Sequence, residues 1–374
     1  MKQLRTTLLT LLLCAAGPIA AANDCGPAPE GFGPATQAPP PGLENIAPGT
    51  LFQAPLGWIV APTSAEAICM AVEMEAGAVA FVEHFGIAPP PGVVMDVIHA
   101  ARIKALLEGG VAWVMPWRFQ SESSPGKPTP RETAIRAQIE QQLAAIGKEP
   151  GTQEVDRLVK QALGSLDQKD SDNTKALEPT AVRHELAHMW FGPFVWGSEG
   201  PKGGYASGAP DWLDEIAAVS AESPQMTQSR RRQFAEAQAA GRWIPLREFT
   251  EMLHPVFAAP AMSETIARAQ AEAQAAGASV TAMSMPSASP ELADRAVLFY
   301  TQARSLLDYL KHRSQSPRIL RLIAEALQGG DSFPQWLATA GAGLGLPSDI
   351  DALEGDWLAW AHDQPPAKQP ASHD

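Results

Sequence analysis

His184 and His188 lie four residues apart in the segment Thr180-Ala-Val-Arg-His-Glu-Leu-Ala-His-Met-Trp-Phe191. On a helix that spacing is about one turn, so both imidazoles leave the same face. Two neutral imidazoles so placed can take two corners of a tetrahedral zinc site. Glu185 follows the first histidine and can reach a water held by that metal. The metal lowers the pKa of the water toward neutrality, and Glu185, as general base, accepts its proton. A chance HExxH is expected about 0.01 times in a chain of this composition and length, so the match carries weight. Leu186, Ala187, Met189, Trp190 and Phe191 surround the pair with apolar mass. The segment is therefore expected to be a buried helix, where two unheld imidazoles would be costly to desolvate. A surface helix with two scattered histidines is the alternative, and the apolar flank argues against it.

A catalytic zinc needs a third protein ligand. A histidine six residues after His188, with a glycine three residues after it, would complete a metzincin pattern, but those positions are Phe194 and Phe191. A carboxylate on a second helix remains. Pro210-Asp-Trp-Leu-Asp-Glu-Ile-Ala-Ala-Val219 follows a Gly-rich connection (GSEGPKGGYASG) and reads as a helix start. Glu215 is the expected ligand, with Glu199 in the connection as the substitute. Asp211 and Asp214 read as acids favoured in a first helical turn.

HELAHMWFG followed by WLDE resembles the gluzincin peptidases. The likeness is strongest to the M1 aminopeptidases, with their HELAHxWFG and WLNEG signatures, and extends to the looser set of peptidase-MA-like secreted proteins. The resemblance implies that His184, His188 and Glu215 ligate one zinc and that Glu185 is the base. It also implies that Glu222, seven residues after Glu215, orients a ligating histidine; a solvated helix acid is the other reading of that residue. A second likeness lies in Leu298-Phe-Tyr-Thr-Gln-Ala-Arg-Ser-Leu-Leu-Asp-Tyr-Leu310, where the family has a tyrosine opening a long helix. Tyr300 falls on that residue and would donate to the oxyanion; packing with Leu306, Leu307 and Leu310 in a core is the alternative. A weaker likeness runs through Trp357-Leu-Ala-Trp360. The chain departs from the M1 pattern twice. His188 and Glu215 are separated by 26 residues, a longer connection whose extra length fits in the Gly-rich loop at small cost. No GxMEN-like strand, whose acid grips a free amino terminus in M1 enzymes, precedes His184.

The elements that would position these residues follow from periodicity. Leu51–Val60, Ala78–Phe81, Val93–Ile98 and Val111–Phe119 read as strands, with a short helix at Ala101–Leu107. Residues 131–166 are polar and helix-prone, and from about 178 the chain reads as mostly helical. The expected fold class is α+β: a small N-terminal sheet packed on the HExxH helix, with a mainly helical C-terminal lobe. The expected divisions are 1–22 signal peptide, 23–45 Pro-rich and poorly ordered lead-in, 46–225 catalytic domain, 226–364 helical lobe and 365–374 disordered tail.

The signal peptide rests on Lys2 and Arg5, a short apolar stretch from Thr7 to Ala20, and the small residues Ala20-Ala21-Ala22. Cys25 and Cys69 then remain, and export to a periplasmic or extracellular compartment favours their pairing. The remaining histidines, His84, His99, His254, His312, His362 and His373, lack ligand spacing and read as structural or surface residues.

The 374 residues carry a net charge of −13. Without Lys2 and Arg5, 26 basic residues face 41 acidic ones, a balance of −15. Such a surface repels phosphates, so nucleic acid is not an expected partner. Outside the leader no apolar run is long enough to span a bilayer. The reading is a zinc-dependent hydrolase acting on peptides or proteins. Its rival is an exported binding or scaffold protein with a relict metal site, against which the intact Glu185 speaks.

Overall fold

A computed structural model of the chain describes residues 25–46, 49–96, 99, 102–117, 119, 136, 155–159, 178–197, 208–255 and 290–364. The leader expected at 1–22, the tail at 365–374, the connection carrying Glu199 and most of 131–166 lie outside the described residues. Within them the fold is mixed α+β and mainly helical.

Five strands form one sheet in sequential order: β1 (Gly33–Pro34), β2 (Leu51–Ala54), β3 (Gly57–Val60), β4 (Gly92–Asp96) and β5 (Val114–Trp117). The first three pair antiparallel, and β3, β4 and β5 are parallel. Parallel neighbours need crossovers. Helix α1 (Ser64–Phe85) connects β3 to β4, and α2 (Ile103–Glu108) connects β4 to β5. Side chains alternate across β4. Val94 joins the main core, whereas Val93 and Met95 face the smaller cluster with Leu43, Ile103 and Leu106.

The expected strand at Ala78–Phe81 is instead the fifth turn of α1. Met70, Met74, Ala78, Phe81 and Phe85 are buried at three- and four-residue intervals, while Val79 is 68% exposed. That is a helical period, which a four-residue apolar run cannot show by itself. The boundaries of α1 are local. Thr63 accepts a hydrogen bond from the Glu66 amide, and Gly86 closes the helix in the left-handed region at φ 67°. The run Leu51–Val60 is a hairpin, β2 and β3, broken at Pro55-Leu56.

The Pro-rich lead-in is tied down rather than poorly ordered. Gly33–Pro34 pair with β2, Leu43 is 1% exposed, and Cys25 is bonded to Cys69 of α1 across 44 residues. Closing a loop of that length restricts the unfolded chain, so Cys25→Ser is expected to lower stability by about 2–4 kcal/mol. Urea titration should show a lower midpoint, and equal midpoints with and without the bond would refute the role.

The helical part begins with α3 (Glu178–Phe191), which carries HExxH. Residues Gly192–Trp196 continue it as a wider π-helical turn containing Pro193, which has no N–H for the carbonyl four residues back. Then follow α4 (Asp211–Ser220), α5 (Pro224–Ala239), α6 (Leu246–Glu251), α7 (Pro290–Ser314), α8 (Ile319–Gln328), α9 (Phe333–Trp336) and α10 (Ile350–His362). Helix α1 packs on both the sheet and α3, so the sheet's main partner is α1 rather than, as expected, the HExxH helix itself. The order of packing continues from α3 to α4, from α4 to α7 and from α7 to α5.

Two features seat α3. Arg183 donates to both Glu73 oxygens of α1, at 2.5 and 3.1 Å. Two turns further along the same face Trp190 is fully buried, edge-on to Phe81 at 5.6 Å and to Trp113 at 5.9 Å. The polar clamp and the aromatic wedge fix the rotation of α3 and turn its histidines toward α4.

Candidate metal centre

The histidines of α3 meet α4 at Glu215, which is fully buried. His184 Nε2 and His188 Nε2 are 3.3 Å apart. Glu215 Oε1 lies 3.3 Å from His184 Nε2, and its Oε2 lies 3.8 Å from His188 Nε2. Ligands at about 2.0–2.1 Å from a tetrahedral ion stand about 3.3–3.4 Å from one another. The two 3.3 Å spacings match the corner spacing of such an ion, the 3.8 Å spacing to the second oxygen of Glu215 is longer, and among the described residues this is the group that could hold one.

Each imidazole is held at its other nitrogen. His184 Nδ1–H donates to Glu222 at 3.1 Å, and His188 Nδ1–H donates to Asp214 at 2.6 Å. These bonds place a hydrogen on each Nδ1, so that in the neutral imidazole Nε2 carries the lone pair, the tautomer that a metal ligand requires. Asp214, read from sequence as a helix-start acid, therefore has a site role. Its position, immediately before Glu215 in WLDE, was the available signal. Glu222 faces His184.

Burial drives His184 down to about 4 despite its bond to Glu222. It also lowers His188, but the adjacent Asp214 charge outweighs this and raises His188 to about 9. At neutral pH His188 therefore carries a proton that a metal ion would have to displace. Burial raises Glu185 to about 7, opposed by the charge of His188 and assisted by that of Asp214. Burial likewise pushes the Glu222 carboxyl up, but Arg230 and the His184 bond hold it below the usual carboxylate range.

Tyr300 comes from α7, with its ring 6.0 Å from that of His184. It does not open the helix. It lies ten residues past Pro290, because the polar turn Glu291-Leu-Ala-Asp-Arg295 already belongs to α7. Leu306, Leu307 and Leu310 are fully buried on the same helix.

Two residues near the site had no sequence signal. Arg230 of α5 donates to Glu222 at 3.1 and 3.3 Å and lies over the Tyr300 ring. His254, fully buried just beyond α6, donates its amide to Asp211 at 2.7 Å, and its ring lies 5.1 Å from that of Tyr300. Neither has a local spacing that points to the metal, since only the tertiary fold brings α5 and the end of α6 to α7.

No protein-family model, no curated protein and no solved structure matches the chain.

Removal of one ligand tests the group directly. Wild type is expected to hold about one zinc per chain, and Glu215→Ala to lose most of that affinity. Because the metal competes with a proton on His188, affinity should fall about tenfold per pH unit below the His188 pKa. Zinc titration against a chromophoric chelator between pH 6 and 9 reads both effects. A flat pH profile or an unchanged Glu215→Ala variant would refute the assignment.

Proposed function

We propose that this protein is an exported zinc-dependent peptidase of gluzincin type, with His184, His188 and Glu215 as ligands. The observation that carries the reading is the convergence of one ligand atom each from His184, His188 and Glu215 within 4.8 Å of one another, with both histidines backed by carboxylates. The donor set of two imidazoles and one carboxylate suits zinc in a catalytic site. Bound zinc would supply Lewis-acid activation of a water and of a substrate carbonyl.

The chain supplies the remaining steps. Glu185, following the first histidine on α3, takes the proton of the attacking water and returns it to the leaving amine. Tyr300 donates its phenolic hydrogen to the oxygen that becomes negative in the tetrahedral intermediate. Glu222 and Asp214 keep the two imidazoles in one tautomer and one orientation. The Cys25–Cys69 bond supports the export reading, since such bonds persist in oxidising compartments. Among the described residues no helix is long and apolar enough to cross a membrane.

Zinc-loaded wild type is expected to cleave members of a broad peptide library, to stop on chelation and to recover on zinc addition. A zinc-loaded protein that cleaves no peptide would overturn the peptidase reading.

A further inference from the structure

Glu222 lies just past the end of α4 with a buried carboxylate. One hydrogen bond from a neutral imidazole does not offset the desolvation of an anion in that setting. The compensating charge comes from Arg230, two turns into α5, whose Nε and a terminal nitrogen both donate to the same Glu222 oxygen that accepts from His184. The guanidinium carbon lies 4.8 Å from the centre of the Tyr300 ring. One side chain therefore touches both the residue that orients His184 and the phenol expected to hold the oxyanion.

We propose that Arg230 is the positioning residue of this centre, a planar cation that holds Glu222 against His184 and the ring of Tyr300 at the metal face. The inference rests on the zinc reading above. The backbone around Arg230 suits the task. Helix α5 begins with Ser223 accepting from the Met226 amide, one residue after Glu222, so acid and cation are joined by a short capped turn. Next to it, Arg231 donates to both oxygens of Asp308 on α7, at 2.7 and 3.0 Å, and Arg304 of α7 donates to Asp308 and to the Val219 carbonyl of α4. These bonds fix α5 against the two helices that carry Glu215 and Tyr300. A lysine at 230 could supply charge but neither the fork of donors nor the flat face over the ring.

Zinc affinity and turnover test the role separately. In chelator competition, Arg230→Met is expected to bind zinc about 10- to 100-fold more weakly than wild type, the usual effect of losing a group behind a ligand. Arg230→Lys should fall between the two. With zinc saturating, Arg230→Met should also lower kcat, but add little to a Tyr300→Phe background, because the phenol it positions is already gone. A residue that only filled the core would leave affinity unchanged in folded protein and add its effect independently of Tyr300. If Arg230→Met does not fold, Arg230→Lys carries the test. A folded Arg230→Lys or Arg230→Met with wild-type zinc affinity and wild-type kcat overturns the proposal alone. A wild type that takes up no zinc overturns the metal reading, and this role with it.

Discussion

Glu185→Gln is expected to lower kcat by about 100- to 10,000-fold, the range lost with a positioned general base, while zinc affinity stays near wild type. Glutamine keeps the length and shape of the side chain and can still donate or accept a hydrogen bond. It cannot accept a proton from water at neutral pH. Burial has already moved Glu185 up to about 7, against the opposing charge of His188, and a base with a pKa near the working pH is both ionised and strong enough to act. Activity should accordingly fall on the acid side, as pH drops through the Glu185 pKa and the base is protonated. A binding protein with a relict metal site has no use for that carboxylate. Full turnover by Glu185→Gln in a zinc-loaded assay would remove Glu185 from the mechanism.

Tyr300→Phe is expected to cost about 100- to 1000-fold in kcat, as for removal of one oxyanion donor, with KM, zinc content and melting temperature little changed. Phenylalanine retains the ring that lies beside His184 and under Arg230, so the packing of α7 survives. Tyr309, nine residues on, is the control, but it is not a silent position. Its hydroxyl donates to Asp356 at 2.7 Å, and its ring packs on Trp360. Tyr309→Phe should therefore cost about 0.5–1.5 kcal/mol of stability without a fall in turnover. The opposite pattern, a stability loss at Tyr300 and a kinetic loss at Tyr309, would show that the catalytic face of α7 has been misplaced.

The parts of the site whose geometry is local are legible in the order of residues alone. His184 and His188 share a face because four residues make about one turn, and the apolar residues around them require that helix to be buried. The Gly-rich connection followed by Pro210-Asp-Trp-Leu-Asp-Glu215 marked a second helix with an acid near its start, and the structure brings that acid to both Nε2 atoms. Short apolar runs likewise marked β4 and β5. Where the pattern was too short, it misled: Ala78–Phe81 has no period of its own, and only the neighbouring turns of α1 show it to be helical.

Which groups stand behind the two histidines follows from how the helices pack. Asp214 and Glu222 are both acids near one helix, and sequence spacing does not say which imidazole, if either, each of them faces. The rotation of α3, set by Arg183 on Glu73 and by Trp190 against Phe81 and Trp113, aims His188 at Asp214 and His184 at Glu222. Arg230 and His254 reach Tyr300 from separate segments, and no period within either segment reports a neighbour on α7. The difference is one of range. Helix faces and caps depend on residues within a turn or two, whereas a buried charge finds its partner only where independently formed helices pack together.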